Sequence, residues 1–138
     1  MDFNVLNDQL TVSGQILPEE VSILKERGFK TVICNRPDEE VEEALQSAAI
    51  GQAAADAGLS FIYLPIYPGQ FTADMMSEMT AAMTNLEGPF YAYCRSGTRS
   101  CTLWALSQAG ILPVEDILGQ AANGGYDLSG MAAYLSGK

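Results

Sequence analysis

The 138-residue chain contains no histidine. A Ser-His-Asp triad, a Cys-His dyad and every histidine-containing zinc site are therefore excluded within one copy of the chain. Cysteine is nearly as scarce. Cys34, Cys94 and Cys101 are odd in number and lack CxxC spacing, which fits neither a secreted disulfide framework nor a tetrathiolate zinc site and reads as free thiols in a reducing compartment. No apolar run approaches the ~20 residues of a membrane span, and the start Met1-Asp2-Phe3-Asn4 lacks the basic-then-apolar layout of a signal peptide. A cytoplasmic location with no membrane partner is the expectation. Positive charge is the third scarcity, since 7 basic residues stand against 17 acidic ones for a net charge of -10. Nucleic-acid surfaces need clustered Lys and Arg, so nucleic acid is not an expected partner.

What is present suits one globular domain spanning residues 1–138, with 48% hydrophobic and 17% charged residues. Short β-branched and aromatic runs at 10–13, 30–34, 60–64 and 89–93 read as strands, the first three closed by Gly14, Asn35 and Pro65. Helical patterns lie between them. One starts at Pro18-Glu19-Glu20 and ends near Gly28. A second is predicted over about 38–57, with acids crowding its first turns and Gly58 as C-cap. A third starts at an N-capping Thr72 and carries Met75, Met76, Met79 and Met83 as a core stripe to about Leu86. A fourth follows residue 99 and ends near Gly110, and two short helices around Gly124-Gly125 finish the chain. The alternation predicts an α/β fold: a mainly parallel central sheet of about four strands flanked by helices, with ligands bound beyond the carboxyl ends of the strands.

The segment Cys94-Arg95-Ser96-Gly97-Thr98-Arg99-Ser100 leaves the fourth strand and enters a helix, where backbone N–H groups can converge on an anion. Gly97 permits the tight curl, and Ser96 and Thr98 add hydroxyl donors. Between Arg36 and Lys138 the only positive charges are Arg95 and Arg99. Amides, a helix N-terminus and two guanidinium groups stabilise a thiolate over a thiol, which makes Cys94 the expected nucleophile. Arg95 is expected at the rim, recruiting an anionic substrate. Ser100 is expected to hydrogen-bond the Cys94 sulfur. Two readings stand for Arg36, approach to the same ligand edge or an ion pair with the local acids. Cys34 and Cys101 read as core thiols, with a resolving role as the alternative for each. Tyr67 and Gln70 are expected at the mouth, and Asp127 as a helix cap. No metal or cofactor is expected.

The Cys-x4-Arg loop between strand and helix resembles those of rhodanese-type sulfurtransferases and cysteine-dependent phosphatases. Together with Val12-Ser13-Gly14-Gln15 and the stretch Ile33-Cys34-Asn35-Arg36-Pro37-Asp38-Glu39-Glu40, it resembles one bacterial family over nearly the whole chain. That family is the phosphatase-like domain of beta-lactamase-hydrolase-like proteins, also labelled a sulfur transferase family. The resemblance implies a fold similar to dual-specificity phosphatases, with Cys94 at the nucleophile position and Arg99 at that of the anion-binding arginine. Three departures from the phosphatase pattern stand out. The loop has only four residues, 95–98, between Cys and Arg, one fewer than the phosphatase signature. Tyr93 replaces the histidine before the cysteine, and Tyr63-Leu64-Pro65-Ile66-Tyr67 offers no carboxylate where the general acid would stand; Asp74 reads as a helix-start residue. Loss of a general acid costs about 10²–10⁴ in rate when an alkoxide must leave, and much less for a stable anion. Sulfite and thiolates are such leaving groups. The sequence therefore favours a sulfurtransferase carrying sulfane sulfur on Cys94, with thiosulfate or a persulfide as donor. Its alternatives are a phosphatase acting on small or aryl phosphate esters and a non-catalytic module that binds anions or persulfides.

Overall fold

Each of the four apolar runs forms a strand; those at 10–13, 31–34 and 90–93 are buried throughout under helices, and the edge run at 60–63 is only partly covered. In the computed structural model, which describes residues 1–137, the strands are β1 (Asn4–Val5), β2 (Leu10–Ser13), β3 (Thr31–Cys34), β4 (Ser60–Tyr63) and β5 (Phe90–Tyr93). Their order in the sheet is β1-β2-β5-β3-β4. Strands β2, β5, β3 and β4 run parallel, with Ser13, Tyr93, Cys34 and Tyr63 level at their carboxyl ends. The two-residue β1 is an antiparallel addition on β2 that the sequence pattern did not reveal, being too short to carry a period. Lys138, the last basic residue of the sequence, lies outside the described residues.

Alternate side chains of each strand enter opposite layers. Phe90 and Ala92 of β5 join Leu10, Val12 and Ile33 beneath α3 (Ala73–Asn85), α4 (Thr98–Gln108), α5 (Val114–Asn123) and α6 (Ala132–Ser136). Tyr91 and Tyr93 join Val32 and Cys34 on the other face, against α1 (Val21–Glu26) and α2 (Ser47–Asp56). The methionine stripe is core as predicted, with Met79 buried and Met75, Met76 and Met83 packed around it. Helix α4 is the most enclosed of the helices. Leu103, Trp104, Ala105 and Leu106 are all buried, so the helix that follows the cysteine loop is fixed against the centre of the sheet.

One predicted helix is different. The stretch expected as a continuous helix over 38–57 consists of two short 3-10 turns, Asp38–Glu40 and Glu43–Leu45, before α2 starts at Ser47. The cause is local. Asp38 spends its carboxylate on α2, accepting the Ser47 backbone N–H at 2.7 Å and the Ser47 hydroxyl at 2.9 Å. Gln46 donates to the carbonyls of Asp38 and Val41. The acidic run is thereby wound into a loop beyond the carboxyl end of β3 instead of a helical turn. The fourth helix also begins two residues earlier than predicted, at Thr98, which places Arg99 in its first turn.

Because Trp104 joins the helix to the larger core layer, Trp104→Ala should destabilise the fold by about 3–5 kcal/mol through lost burial and a residual cavity. Urea denaturation measures it.

Candidate active site

Strand β5 lies at the centre of the parallel strands, so the loop after it emerges between the ends of β2 and β3. The Cys94 N–H continues the ladder by donating to the Ser13 carbonyl at 3.2 Å, and the Asn35 N–H donates to the Tyr93 carbonyl at 2.8 Å. Cys94 is therefore set in depth by two neighbouring strands, and it is fully buried. The chain then curls over the end of β2. A Cβ at Gly14 would stand 2.7 Å from the Arg95 carbonyl oxygen, so the residue under the curl has to be glycine. Gly97 makes the turn itself, with φ at +93°, a left-handed conformation that L side chains rarely adopt.

Its N–H points back to the Cys94 sulfur at 3.1 Å. The first bond of α4 runs from the Cys101 N–H to the Gly97 carbonyl. The amides of Thr98, Arg99 and Ser100 consequently have no acceptor within the helix, and they add its positive end to the loop. Ser96 and Thr98 hydrogen-bond each other at 3.1 Å on the exposed side. The predicted bond from Ser100 to the sulfur is not made: the Ser100 hydroxyl is buried and has no partner, since its place on α4 turns it into the packed interior.

The mouth above the loop is a cleft of about 420 Å³ lined by Arg36, Glu40, Pro68, Arg95 and Arg99. Pro68, and not the predicted Tyr67 and Gln70, supplies the far wall, because the Tyr67 hydroxyl is drawn to Glu39 at 2.6 Å. Arg99 meets the Glu40 carboxylate in a two-pronged pair, Nη1 to Oε2 and Nη2 to Oε1, both 2.8 Å, and Nη1 also donates to the Ile66 carbonyl at 2.6 Å. Arg36 forms the predicted ion pair with a local acid. It lines the cleft and its Nε lies 3.3 Å from Glu40 Oε1. Arg95 is exposed and has no ion pair among the described residues.

Hydrogen bonds from Arg99 hold the Glu40 carboxyl below the usual carboxylate range, and the same pair holds the guanidinium charged. Glu40 is therefore no proton donor near neutral pH. Asp38 is occupied by Ser47 and Glu39 by Tyr67, while residues 64–72 carry no acid. The turn opposite the loop is Gly69, with φ at +75°. Asp74 lies exposed in the first turn of α3, as predicted. Cys34 and Cys101 are buried thiols, pushed up by desolvation to about 11 and about 12. Asp127 accepts the Ser129 N–H at 2.9 Å where the chain enters a short turn. Among the described residues no group of three His, Cys, Asp or Glu side chains could hold a metal ion, and no helix is long and apolar enough to cross a membrane.

Two contributors escaped the sequence. Glu40 sits within an acidic run that reads as a helix start, and only its spacing of four from Arg36 hints at a pair. Tyr126 left no signal at all. Its hydroxyl accepts from Asn4 Nδ2 at 3.0 Å and donates to the Ser96 carbonyl at 2.9 Å, so it ties the outside of the loop to the amino terminus of the sheet. A Cβ on Gly97 would collide with that hydroxyl.

Residues 2–111 match the family model of the beta-lactamase hydrolase-like protein, phosphatase-like domain. The chain belongs to this family. It is 30% identical over 132 residues to the beta-lactamase hydrolase-like protein of Agrobacterium fabrum and 29% identical over 132 residues to that of Xylella fastidiosa, in each case covering 94% of this chain. The chain spans 31% of the length of each of these relatives. Among solved structures, a candidate phosphatase of Neisseria meningitidis superposes with a TM-score of 0.84 at 29% identity, covering 99% of both chains. The core catalytic domain of an S. cerevisiae PP-IP phosphatase, crystallised with citrate, shares the fold at a TM-score of 0.67 and 14% identity, over 96% of this chain and 83% of that one. The fold is thus that of the protein tyrosine and dual-specificity phosphatases, as the sequence resemblance implied. These likenesses favour the phosphatase alternative over the sulfur-transfer reading that the sequence put first.

Removing the Tyr126 hydroxyl should loosen the loop from behind. Tyr126→Phe should lose about 1 kcal/mol of stability in thermal or urea unfolding, and alkylation of Cys94 by iodoacetamide should become less sensitive to protection by phosphate.

Proposed function

We propose that the domain is a cysteine-dependent phosphatase for small phosphate esters with good leaving groups. The supporting observation is the receptor around Cys94: a curled loop whose Gly97 amide reaches the sulfur and a helix N-terminus with Arg99 in its first turn, in a phosphatase-like family and fold. In this reading the Cys94 thiolate attacks phosphorus and the ester P–O bond breaks, releasing the alcohol or phenol oxygen as an anion. Loop amides and Arg99 carry the charge of the transferred group. Water then attacks the phosphocysteine, the P–S bond breaks, and phosphate leaves with the thiolate restored and the water's proton passed to solvent. Arg95, Ser96, Thr98 and Arg36 form the rim that receives the anionic substrate. Ser100 is retained as a buried hydroxyl within the loop's helix turn rather than as a partner of the sulfur.

With no carboxylic acid poised opposite the loop, the leaving oxygen has to depart unprotonated. Esters of acidic phenols fit this requirement and alkyl esters do not.

The same absence, joined to the four-residue spacing of the loop, favours a second reading. Cys94 would attack the outer sulfur of thiosulfate, the S–S bond would break with departure of sulfite, and the Cys94 persulfide would pass its terminal sulfur to an acceptor thiolate. No proton donor is needed at either step.

A series of aryl phosphates of graded phenol acidity, run beside a thiosulfate-to-thiol transfer assay, separates these readings. The phosphatase reading expects turnover that falls steeply as the phenol becomes less acidic, abolition in Cys94→Ser, and a loss of about 10²–10³ in Arg99→Ala. Sulfur transfer without phosphate turnover, with one added sulfur on Cys94 by mass spectrometry, would establish the second reading instead. Oxyanion binding with neither activity would make the domain a binding module.

A further inference from the structure

We infer that the open edge of β4 and the face of α3 beside it form a docking groove for an extended segment of a partner protein. The segment joins the sheet as a further strand and carries Lys or Arg two residues to either side of an apolar anchor. The inference is independent of the chemistry at Cys94.

Strand β4 ends the sheet, so one of its sides has no neighbouring strand. Its register shows which backbone groups are left over. The Ser60 N–H donates to the Lys30 carbonyl at 3.0 Å and the Leu64 N–H to the Cys34 carbonyl at 2.8 Å, so residues 60, 62 and 64 turn their polar groups to β3. The N–H and C=O of Phe61 and Tyr63 therefore point outward. Proteins commonly blunt such an edge with a charge, a proline or a bulge. Ser60-Phe61-Ile62-Tyr63 contains neither charge nor proline and pairs with β3 in unbroken register. The opposite edge, by contrast, is only the two-residue β1. The free groups of β4 match those of an extended chain, in which main-chain bonds give affinity and the neighbouring surface gives specificity.

The neighbouring surface is a groove of about 660 Å³, larger than the cleft at the cysteine loop, with β4 as one wall and α3 as the other. Glu78, Ala81, Ala82 and Asn85 line it at the spacing of a single helix face. The two alanines keep the helix wall shallow, which leaves room beside half-buried Ile62 for a large apolar side chain. Charge selects the rest of the occupant. Helix α3 carries Asp74 and Glu78, with Glu87 just beyond it, and no Lys or Arg. Lys25 and Lys30 come near the amino end of β4 without lining the groove. A second copy of the chain would bring Glu78 and a net charge of -10 against a like surface, which disfavours pairing of β4 with itself. A basic side chain two residues from the apolar anchor falls on the same face of the added strand and meets Glu78. At ~4.8 Å per strand, with β3 between β4 and β5, the added strand lies about 15 Å from β5 and outside the cleft over Cys94.

The probe is a fluorescein-labelled peptide, Thr-Lys-Thr-Leu-Thr-Lys-Thr, titrated into the full chain. We expect saturable binding that slows hydrogen exchange at the Phe61 and Tyr63 amides in NMR. In an added strand alternate amides face β4 and solvent, so two N-methylated peptides, one methylated at its Thr residues and one at its Lys and Leu residues, should behave oppositely. One should lose binding and the other keep it. Glu78→Lys should weaken binding about tenfold, and Ala81→Trp, which fills the groove from an exposed position, should abolish it, with thermal unfolding of each variant showing that it folds. Turnover of a small aryl phosphate should be the same with and without peptide. Absence of saturable binding to wild type, equal behaviour of the two methylated peptides, or full binding by folded Ala81→Trp overturns the inference. A wild-type dimer in sedimentation that Ala81→Trp dissociates also overturns it, making a second copy the occupant.

Discussion

The site depends on one backbone constraint: between a buried strand and a buried helix, six residues must curl so that the Gly97 amide turns back to the sulfur that opens them. Every neighbouring feature serves that curl. Gly97 adopts the left-handed turn, Gly14 clears the floor beneath Arg95, and Tyr126 holds the Ser96 carbonyl from outside. Packing supplies the rest. Cys94 is placed by the β2 and β3 neighbours of its strand, and α4 cannot shift because its apolar side chains are enclosed. The loop's polar groups are thus organised before any ligand arrives, which is the condition under which oriented amides contribute most to binding developing charge.

Charge on this protein acts locally. The net charge of -10 disfavours polyanionic partners, yet three of its seven basic residues, Arg36, Arg95 and Arg99, line one cleft. Screening over roughly 10 Å at moderate salt makes a small anion in that cleft respond chiefly to those groups and the amides. The acids nearest the cleft are each committed to a partner, Asp38 to Ser47, Glu39 to Tyr67 and Glu40 to Arg99. Their commitment removes the proton donors that an alkyl ester would require. It also makes the acidic run part of the architecture of an anion site, which its composition alone would not suggest.

Most of the fold was legible in the sequence because the parallel strands, three of them buried throughout, leave short apolar runs, and helices between them leave periodic ones. The cysteine loop was equally legible, since strand, glycine, hydroxyls and arginines fall together within a few residues. What escaped depends on contacts distant in sequence. Asp38, Glu39 and Glu40 carry the composition of a helix start, and only the capping of Ser47 and the reach to Arg99 show that they are unwound. Ser100 reads as a partner for the sulfur until the helix beginning at Thr98 turns its hydroxyl into the core. Tyr126 meets the loop across 30 residues, a pairing no local pattern announces.

The most direct test of the oxyanion receptor is a crystal structure of the wild-type protein with inorganic phosphate. The account predicts a phosphate seated on the loop amides beside Cys94, accepting hydrogen bonds from Arg99. A phosphate bound only by Arg36 and Arg95 at the rim would contradict it.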